Sequence, residues 1–412
     1  SRSRFVNYRL VTSPVVRRVC KQRISELPMT VISEIIPSST TAQVSISELK
    51  TSGAMSIGHA HLNMVASLNA LTLDAVRVLT AAVSHWSARE DIAGVLITGE
   101  GEKAFCAGGD IQALYRAAVA NRQAGELVDL YPFEFFAEEY RLDYVLHTFN
   151  KPVITLGHGI VMGGGYGLFA ASGYRVLTQR SKLAFPEITI GLFPDAGGSW
   201  VLKNLPQPIA LFLGLTGSQV NATDALALNI GTHMIDHEQR QMFVDGLATM
   251  AWSEDDAGNR ALLDEYLVSC SYQGQRPEPE LSAFDGALVE VGSLSDCVTS
   301  IVAMQGKSAW IDRGIGNLQK GCPVTAGIIF EQMRRVKTMT LAESFRMELA
   351  VATRCLQWPD FAEGVRALLI DKDGAPKWTV NSVDDLSKEY IDAHFDENFV
   401  GLWPNNPLHD LG

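Results

Sequence analysis

Two carboxylates, Glu187 and Asp195, stand in the stretch FPEITIGLFPDAGG (185–198), which is otherwise dominated by apolar residues, glycine and proline. A buried carboxylate costs several kcal/mol to desolvate unless hydrogen bonds or opposite charges compensate it. These two acids therefore either cap local structure or work in a pocket, where a carboxylate can activate water or attack a carbonyl directly. Two glycine-rich turns could supply the complementary groups. In VLITGEGEKAFCAGGDIQALYRAAV an apolar strand ends near Gly99, and Asp110 is placed to N-cap the next helix, so Gly109 offers a backbone N–H beside a helix start. In VITLGHGIVMGGGYGLFAAS, Gly163, Gly164 and Gly165 open a helix in the same way. The first N–H groups of a helix lack intrahelical partners and carry the positive end of its dipole. Two of them converging on one point would bind the oxyanion formed when a thioester is attacked. Phosphate binding is the competing idea, but neither loop has the GxxxxGK[ST] or GxGxxG spacing. Tight turns made for close packing are the third.

The obvious rival for ester cleavage is a Ser-His-Asp hydrolase, and no GxSxG elbow occurs in the chain. His158, at a strand end, reads as a packed or hydrogen-bonded core histidine. Cys106 reads as a buried apolar cysteine with no catalytic role. The six cysteines, at 20, 106, 270, 297, 322 and 355, show no CxxC pair and no disulfide rhythm, so a reducing compartment and no metal site are expected.

The elements that must hold these groups follow from hydrophobic period. AQVSISEL is β-type, and Leu73, Val76, Leu79 and Val83 follow helical spacing. IAGVLITGE, PVITLGHGIVM (152–162) and YRVLTQ (174–179) read as strands, with helical stretches between them. That alternation predicts an α/β layer architecture. Beyond about residue 236 helical patterns dominate, which divides the chain into residues 29–235 as a catalytic core and 236–412 as a mainly helical region. With 47% hydrophobic residues, 19% charged residues and no apolar run near the roughly 20 residues of a membrane span, a globular protein is expected. The net charge of −12 argues against nucleic acid and anionic membranes as partners. Residues 1–28 carry seven basic residues and one acid, a composition shared with organellar transit peptides; an upstream extension is the alternative, since Met29 could start a chain by itself.

KAFCAGGDI (103–111), HGIVMGGGYGL (158–168) and FPEITIGLFPDAGG, in this order and spacing, resemble the crotonase (enoyl-CoA hydratase/isomerase) superfamily. EEYRLDYVL (138–146) and DFAEGVRALLIDKDGAPKW (360–378) resemble its 3-hydroxyisobutyryl-CoA hydrolase branch. The resemblance covers about residues 41–380. It implies a spiral of ββα units with a C-terminal helical region, and in many members assembly into oligomers. It places the two oxyanion-hole amides on Gly109 and Gly164, the catalytic glutamate on Glu187, the hydrolase branch's acid on Asp195 and a substrate-contacting glutamate on Glu139. Where hydratases carry a first catalytic glutamate, this chain has Gly167. The expected activity is hydrolysis of a 3-hydroxyacyl-CoA, above all 3-hydroxyisobutyryl-CoA of valine breakdown, with no cofactor beyond the CoA of the substrate. Hydration or isomerisation of an enoyl-CoA is the second expectation, and a non-catalytic CoA-binding or scaffold protein the third. Glu187 could otherwise be a structural carboxyl on backbone N–H groups, Asp195 an N-cap for AGGSWVLKNL, and Glu139 a residue on a solvated helix face. Lys103, Arg180 and Lys182 flank the motifs and are the candidates for the CoA phosphates. A cytoplasmic location is expected, or the mitochondrial matrix if residues 1–28 are a transit peptide.

Overall fold

The computed structural model describes residues 43–284, 292–397, 399 and 401–412, so the basic segment 1–28 lies outside the described residues. A hairpin of β1 (Val44–Lys50) and β2 (Ser56–Leu62) leads to helix α1 (Leu73–Ser87). Thr72 caps α1 by accepting from the Ala75 N–H at 3.1 Å, and Leu73, Val76, Leu79 and Val83 are all buried on its inner face.

Three turns of a repeat follow. The first is β3 (Ile92–Gly99), β4 (Ala104–Cys106) and the helices α2 (Ile111–Ala124) and α3 (Tyr131–His147). The second is β5 (Val153–Gly157), β6 (Ile160–Met162) and α4 (Gly164–Ala170). The third is β7 (Tyr174–Thr178), β8 (Lys182–Ala184), a 3-10 turn at Glu187–Ile190 and α5 (Gly198–Lys203). Each turn gives its first strand to a six-stranded sheet of order β1-β2-β3-β5-β7-β10 and its second to a four-stranded sheet of order β4-β6-β8-β9. The α/β spiral of ββα units expected from the motifs is therefore present. α6 (Gln207–Thr216), β9 (Val220–Asn221), α7 (Ala222–Ala227) and β10 (His233–Ile235) complete it.

The stretch 152–162, expected to be one strand, is two strands in different sheets. The chain crosses between them at Gly159, whose φ is +57° and where a Cβ would lie 2.3 Å from the Lys103 carbonyl oxygen. Only glycine makes that turn without collision.

After Ile235 every described element is helical: α8 (Arg240–Thr249), α9 (Asp256–Ser269), α10 (Leu294–Val302), α11 (Ala309–Lys320), α12 (Pro323–Arg335), α13 (Leu341–Gln357), α14 (Pro359–Val365) and α15 (Lys388–Asp392), with several 3-10 turns besides. The larger sheet is covered on both faces, as its near-continuous apolar strands require. Val95 and Ile97 of β3 face a large core shared with α1, α3 and α11 to α13, whereas Leu96 faces Phe243, Leu247, Trp252 and Leu263 of the α8–α9 segment. Among the described residues no helix is long and apolar enough to cross a membrane.

Candidate active site

The two glycine loops meet. A Cβ on Gly108 would lie 3.5 Å from the Gly164 nitrogen, so the strands β4 and β6, which pair in parallel, deliver both loops to one place. Asp110 caps α2 as expected, accepting from the Ala113 N–H at 3.1 Å. Gly163, at φ +51°, is the N-cap of α4 and leaves Gly164 as its first residue. Among the described residues neither the Gly109 nor the Gly164 N–H has a hydrogen-bond partner.

Both loops, Glu139, Glu187 and Asp195 line a cavity of about 70 Å3, walled by Ile111, Leu114, Phe135, Phe136, Ile190 and Leu192. The five residues singled out in the sequence thus come together from four segments. Glu187 opens the 3-10 turn after β8 and is 4% exposed, and its Oε2 has no partner among the described residues. Burial, reinforced by the charge of Asp195, pushes its carboxyl well above the usual carboxylate range. Asp195 is equally buried and accepts a 2.6 Å hydrogen bond from the Tyr140 hydroxyl. Burial raises it to about 7, against the opposing effect of the Tyr140 bond.

Its side chain does not cap α5, contrary to the N-cap reading. The Gly197 and Ser199 N–H groups instead donate to the carboxyl of Glu348, on α13, at 2.8 and 2.9 Å. Glu139 is not on a solvated face: α3 is buried over much of its circumference, and Glu139 is 2% exposed with Oε1 unpartnered. Burial and the neighbouring Asp143 raise it strongly.

Four contributors were missed by the sequence reading: Tyr140, Asp143, Gln332 and Glu348. Asp143 is one helical turn beyond Glu139, fully buried, with both carboxyl oxygens unpartnered among the described residues. A Cβ on Gly167 would meet the Ala196 carbonyl oxygen at 2.6 Å and Asp143 Oδ2 at 2.8 Å. The space that a side chain at 167 would need is therefore filled by a carboxyl from another helix. The available signal was an acid at i and i+4 in EEYRLDYVL and a lone acid inside the apolar run of FRMELAV.

The remaining candidates lie elsewhere. His158 lines a wider cavity of about 650 Å3 with His59, His61 and His237, and burial lowers it to about 4. Cys106 is buried and donates to the Asn69 carbonyl at 3.0 Å, and burial lifts its thiol to about 12. Lys103, Arg180 and Lys182 are exposed and none lines the acid-bearing cavity. Arg180 pairs with Glu238 at 2.5 Å. Among the described residues no group of three or more His, Cys, Asp or Glu is arranged to hold a metal ion. Two unpartnered N–H groups that line one cavity with a buried carboxyl bearing a free oxygen form an arrangement suited to acyl transfer, in which such amides can stabilise an oxyanion and such a carboxyl can supply or generate the nucleophile.

Known proteins bear on this geometry. A family model described as enoyl-CoA hydratase/isomerase matches residues 57–395. The mitochondrial 3-hydroxyisobutyryl-CoA hydrolase of Danio rerio is 35% identical over 337 residues, 81% of this chain and 85% of that protein. Its Homo sapiens namesake is 31% identical, over 81% of this chain and 84% of that one. Among solved structures, a carnitinyl-CoA dehydratase from Mycobacterium thermoresistibile is similar with a TM-score of 0.76 at 25% identity, covering 90% of this chain and all of that one. An enoyl-CoA hydratase from Rhodobacter sphaeroides 2.4.1 gives 0.69 at 26% identity, over 86% and 97% of the two chains. With its ββα spiral, its paired glycine loops and these relatives, the chain belongs to the enoyl-CoA hydratase/isomerase, or crotonase, family.

Proposed function

We propose that this protein hydrolyses the thioester of a short 3-hydroxyacyl-CoA, 3-hydroxyisobutyryl-CoA, to 3-hydroxyisobutyrate and free CoA. One observation carries the reading: where hydratases carry a first catalytic glutamate this chain has Gly167, whose side-chain space Asp143 and Ala196 occupy, while Glu187 keeps a free oxygen in the same cavity as the two unpartnered amides. Addition of water across a double bond uses two acids that hold and activate it, whereas thioester hydrolysis needs an oxyanion hole and one carboxylate. The thioester oxygen accepts from the Gly109 and Gly164 N–H groups. Ionised Glu187 then takes a proton from a water that attacks the carbonyl, or attacks the carbonyl itself; the C–S bond breaks and the thiolate leaves as CoA after gaining a proton, and in the second route water then cleaves the acyl–Glu187 anhydride, releasing the acid and restoring Glu187. In either route one water is consumed and one carboxylic acid and one thiol are formed. Burial and the charge of Asp195 raise the Glu187 carboxyl above the usual carboxylate range, which makes it a stronger base once ionised. Asp195 accepts from the 3-hydroxyl of the acyl group, and Glu139 completes the wall beside Gly164. The names of the Danio rerio and Homo sapiens relatives support this choice of substrate.

The purified protein is expected to release thiol from 3-hydroxyisobutyryl-CoA and to leave the crotonyl-CoA double bond intact. Glu187→Gln should abolish release while still binding substrate, because the near-isosteric amide is no base. Loss of the crotonyl double bond without thiol would turn the assignment to a hydratase, and binding of CoA esters without reaction to a scaffold. We also propose the mitochondrial matrix as its location, supported by the relatives' names and the seven basic residues among 1–28. Residues 1–28 fused to a fluorescent reporter should direct it to mitochondria; a diffuse cytoplasmic signal would reverse this.

A further inference from the structure

We infer that Glu348 and Gln332, on two helices of the C-terminal region, are positioning residues for Asp195, clamping the backbone on either side of it. The inference rests on the role proposed for Asp195. The turn Pro194–Ser199 holds two consecutive residues with positive φ, Ala196 at +51° and Gly197 at +81°. For alanine that conformation is strained, and it persists only where the surroundings impose it.

The surroundings are identifiable. The Gln332 amide donates 2.6 Å bonds to the Pro194 carbonyl and to the Ser199 hydroxyl. Glu348 accepts from the Gly197 and Ser199 N–H groups at 2.8 and 2.9 Å. Within the turn the Gly198 N–H returns to the Asp195 carbonyl at 2.7 Å. Both side chains are fully buried, so water cannot take over either role. α5 has no side-chain cap of its own at its start, and Glu348 fills that place from α13, about 150 residues away in sequence. The carbonyl before Asp195 and the amides after it are thus tied to the helical region, while Tyr140 ties its carboxyl to α3.

A fault in the clamp would rotate the Asp195 carboxyl relative to the amides of Gly109 and Gly164. Misplacement of a reacting group by about 1 Å can cost about a hundredfold in rate. Glu348→Gln replaces one of two acceptor oxygens by an NH2 that must face an N–H, so one capping bond is lost with little change in volume.

The test is a double-mutant cycle on thiol release. Glu348→Gln should lower kcat about tenfold or more with KM little changed, and adding it to Asp195→Asn should cost no more than about a further twofold, the signature of residues acting as one unit. A side chain with a purely structural role would lower the melting temperature and leave the two effects multiplicative, which would overturn the inference. Exchange of the Gly197, Gly198 and Ser199 amides gives a readout independent of the reaction: it should quicken in Glu348→Gln, and unchanged exchange overturns the clamp. If the wild type releases no thiol, the hydrolase reading fails and the exchange arm alone decides the clamp. Should Glu348→Gln not fold, Gln332→Met, which removes the bonds to the Pro194 carbonyl and the Ser199 hydroxyl, takes its place in the same cycle with the same criteria.

Discussion

The Oε1 of Glu139 occupies the space that a side chain on Gly164 would fill, 2.0 Å from the position of its Cβ. The residue proposed to offer an amide to the oxyanion can therefore only be a glycine without displacing the acid packed against it. Gly164→Ala keeps the N–H yet must displace that carboxyl. Turnover is expected to fall by about a hundredfold, the cost of moving a site group by about 1 Å. The loss should shrink markedly when measured on a Glu139→Ala background, where the methyl finds room. Equal losses on both backgrounds would separate the two residues.

Asp143 is a fully buried acid without a partner among the described residues, and burial, with the charges of Glu348 and Asp195, raises its carboxyl well above the usual range. A raised folded value means that its favourable contribution is complete at pH values below the ordinary carboxylate range and is lost as pH climbs toward the folded value. The slope is at most about 1.4 kcal/mol per pH unit. Asp143→Asn removes that dependence at nearly constant volume. The melting-temperature advantage of the variant should grow between pH 5 and pH 8, and thermal scans at several pH values that show a constant difference would place the proton elsewhere.

The charge of Asp195 raises Glu187 further than burial alone. In Asp195→Asn the carboxyl of Glu187 ionises more readily, so the acid limb of the kcat against pH profile should move to lower pH even though the maximum falls. A limb that keeps its place would mean that another group controls it.

The cavity at the acids is only about 70 Å3, and Leu114 and Phe136 are among its walls. Short branched acyl groups should be favoured over long ones, and Leu114→Ala should raise kcat/KM for a 3-hydroxyacyl-CoA longer by one or two carbons relative to the four-carbon substrate. One methylene in an apolar pocket is worth about 10-fold or more. Competition assays measure the ratio; an unchanged ratio would mean that the chain leaves the cavity by another side.

Tyr140→Phe removes the 2.6 Å donor to Asp195. Since that bond holds the Asp195 carboxyl below where burial alone would put it, its loss should cost about 1.5 to 3 kcal/mol, read as slower turnover at neutral pH and partial recovery at higher pH. A pH-independent loss would assign Tyr140 to packing only.

What could be read from the sequence was local. Strand and helix periods, the Asp110 cap and the glycine turns before α2 and α4 depend on a few neighbouring residues, and the ordered motifs placed Gly109, Gly164, Glu187, Asp195 and Glu139, which line one cavity. What the sequence could not decide arises between elements remote in the chain. The crossing between sheets at Gly159 is set by the Lys103 carbonyl pressed against it. Asp195 is relieved of capping α5 because Glu348 arrives from α13 to do so. The space beside Gly167 is filled by Asp143, brought in by the packing of α3, which no local pattern on α4 reveals. Burial and partnership of a carboxyl depend on every element packed around it, so only the assembled core determines whether an acid in an apolar run is a cap, a clamp or a catalyst.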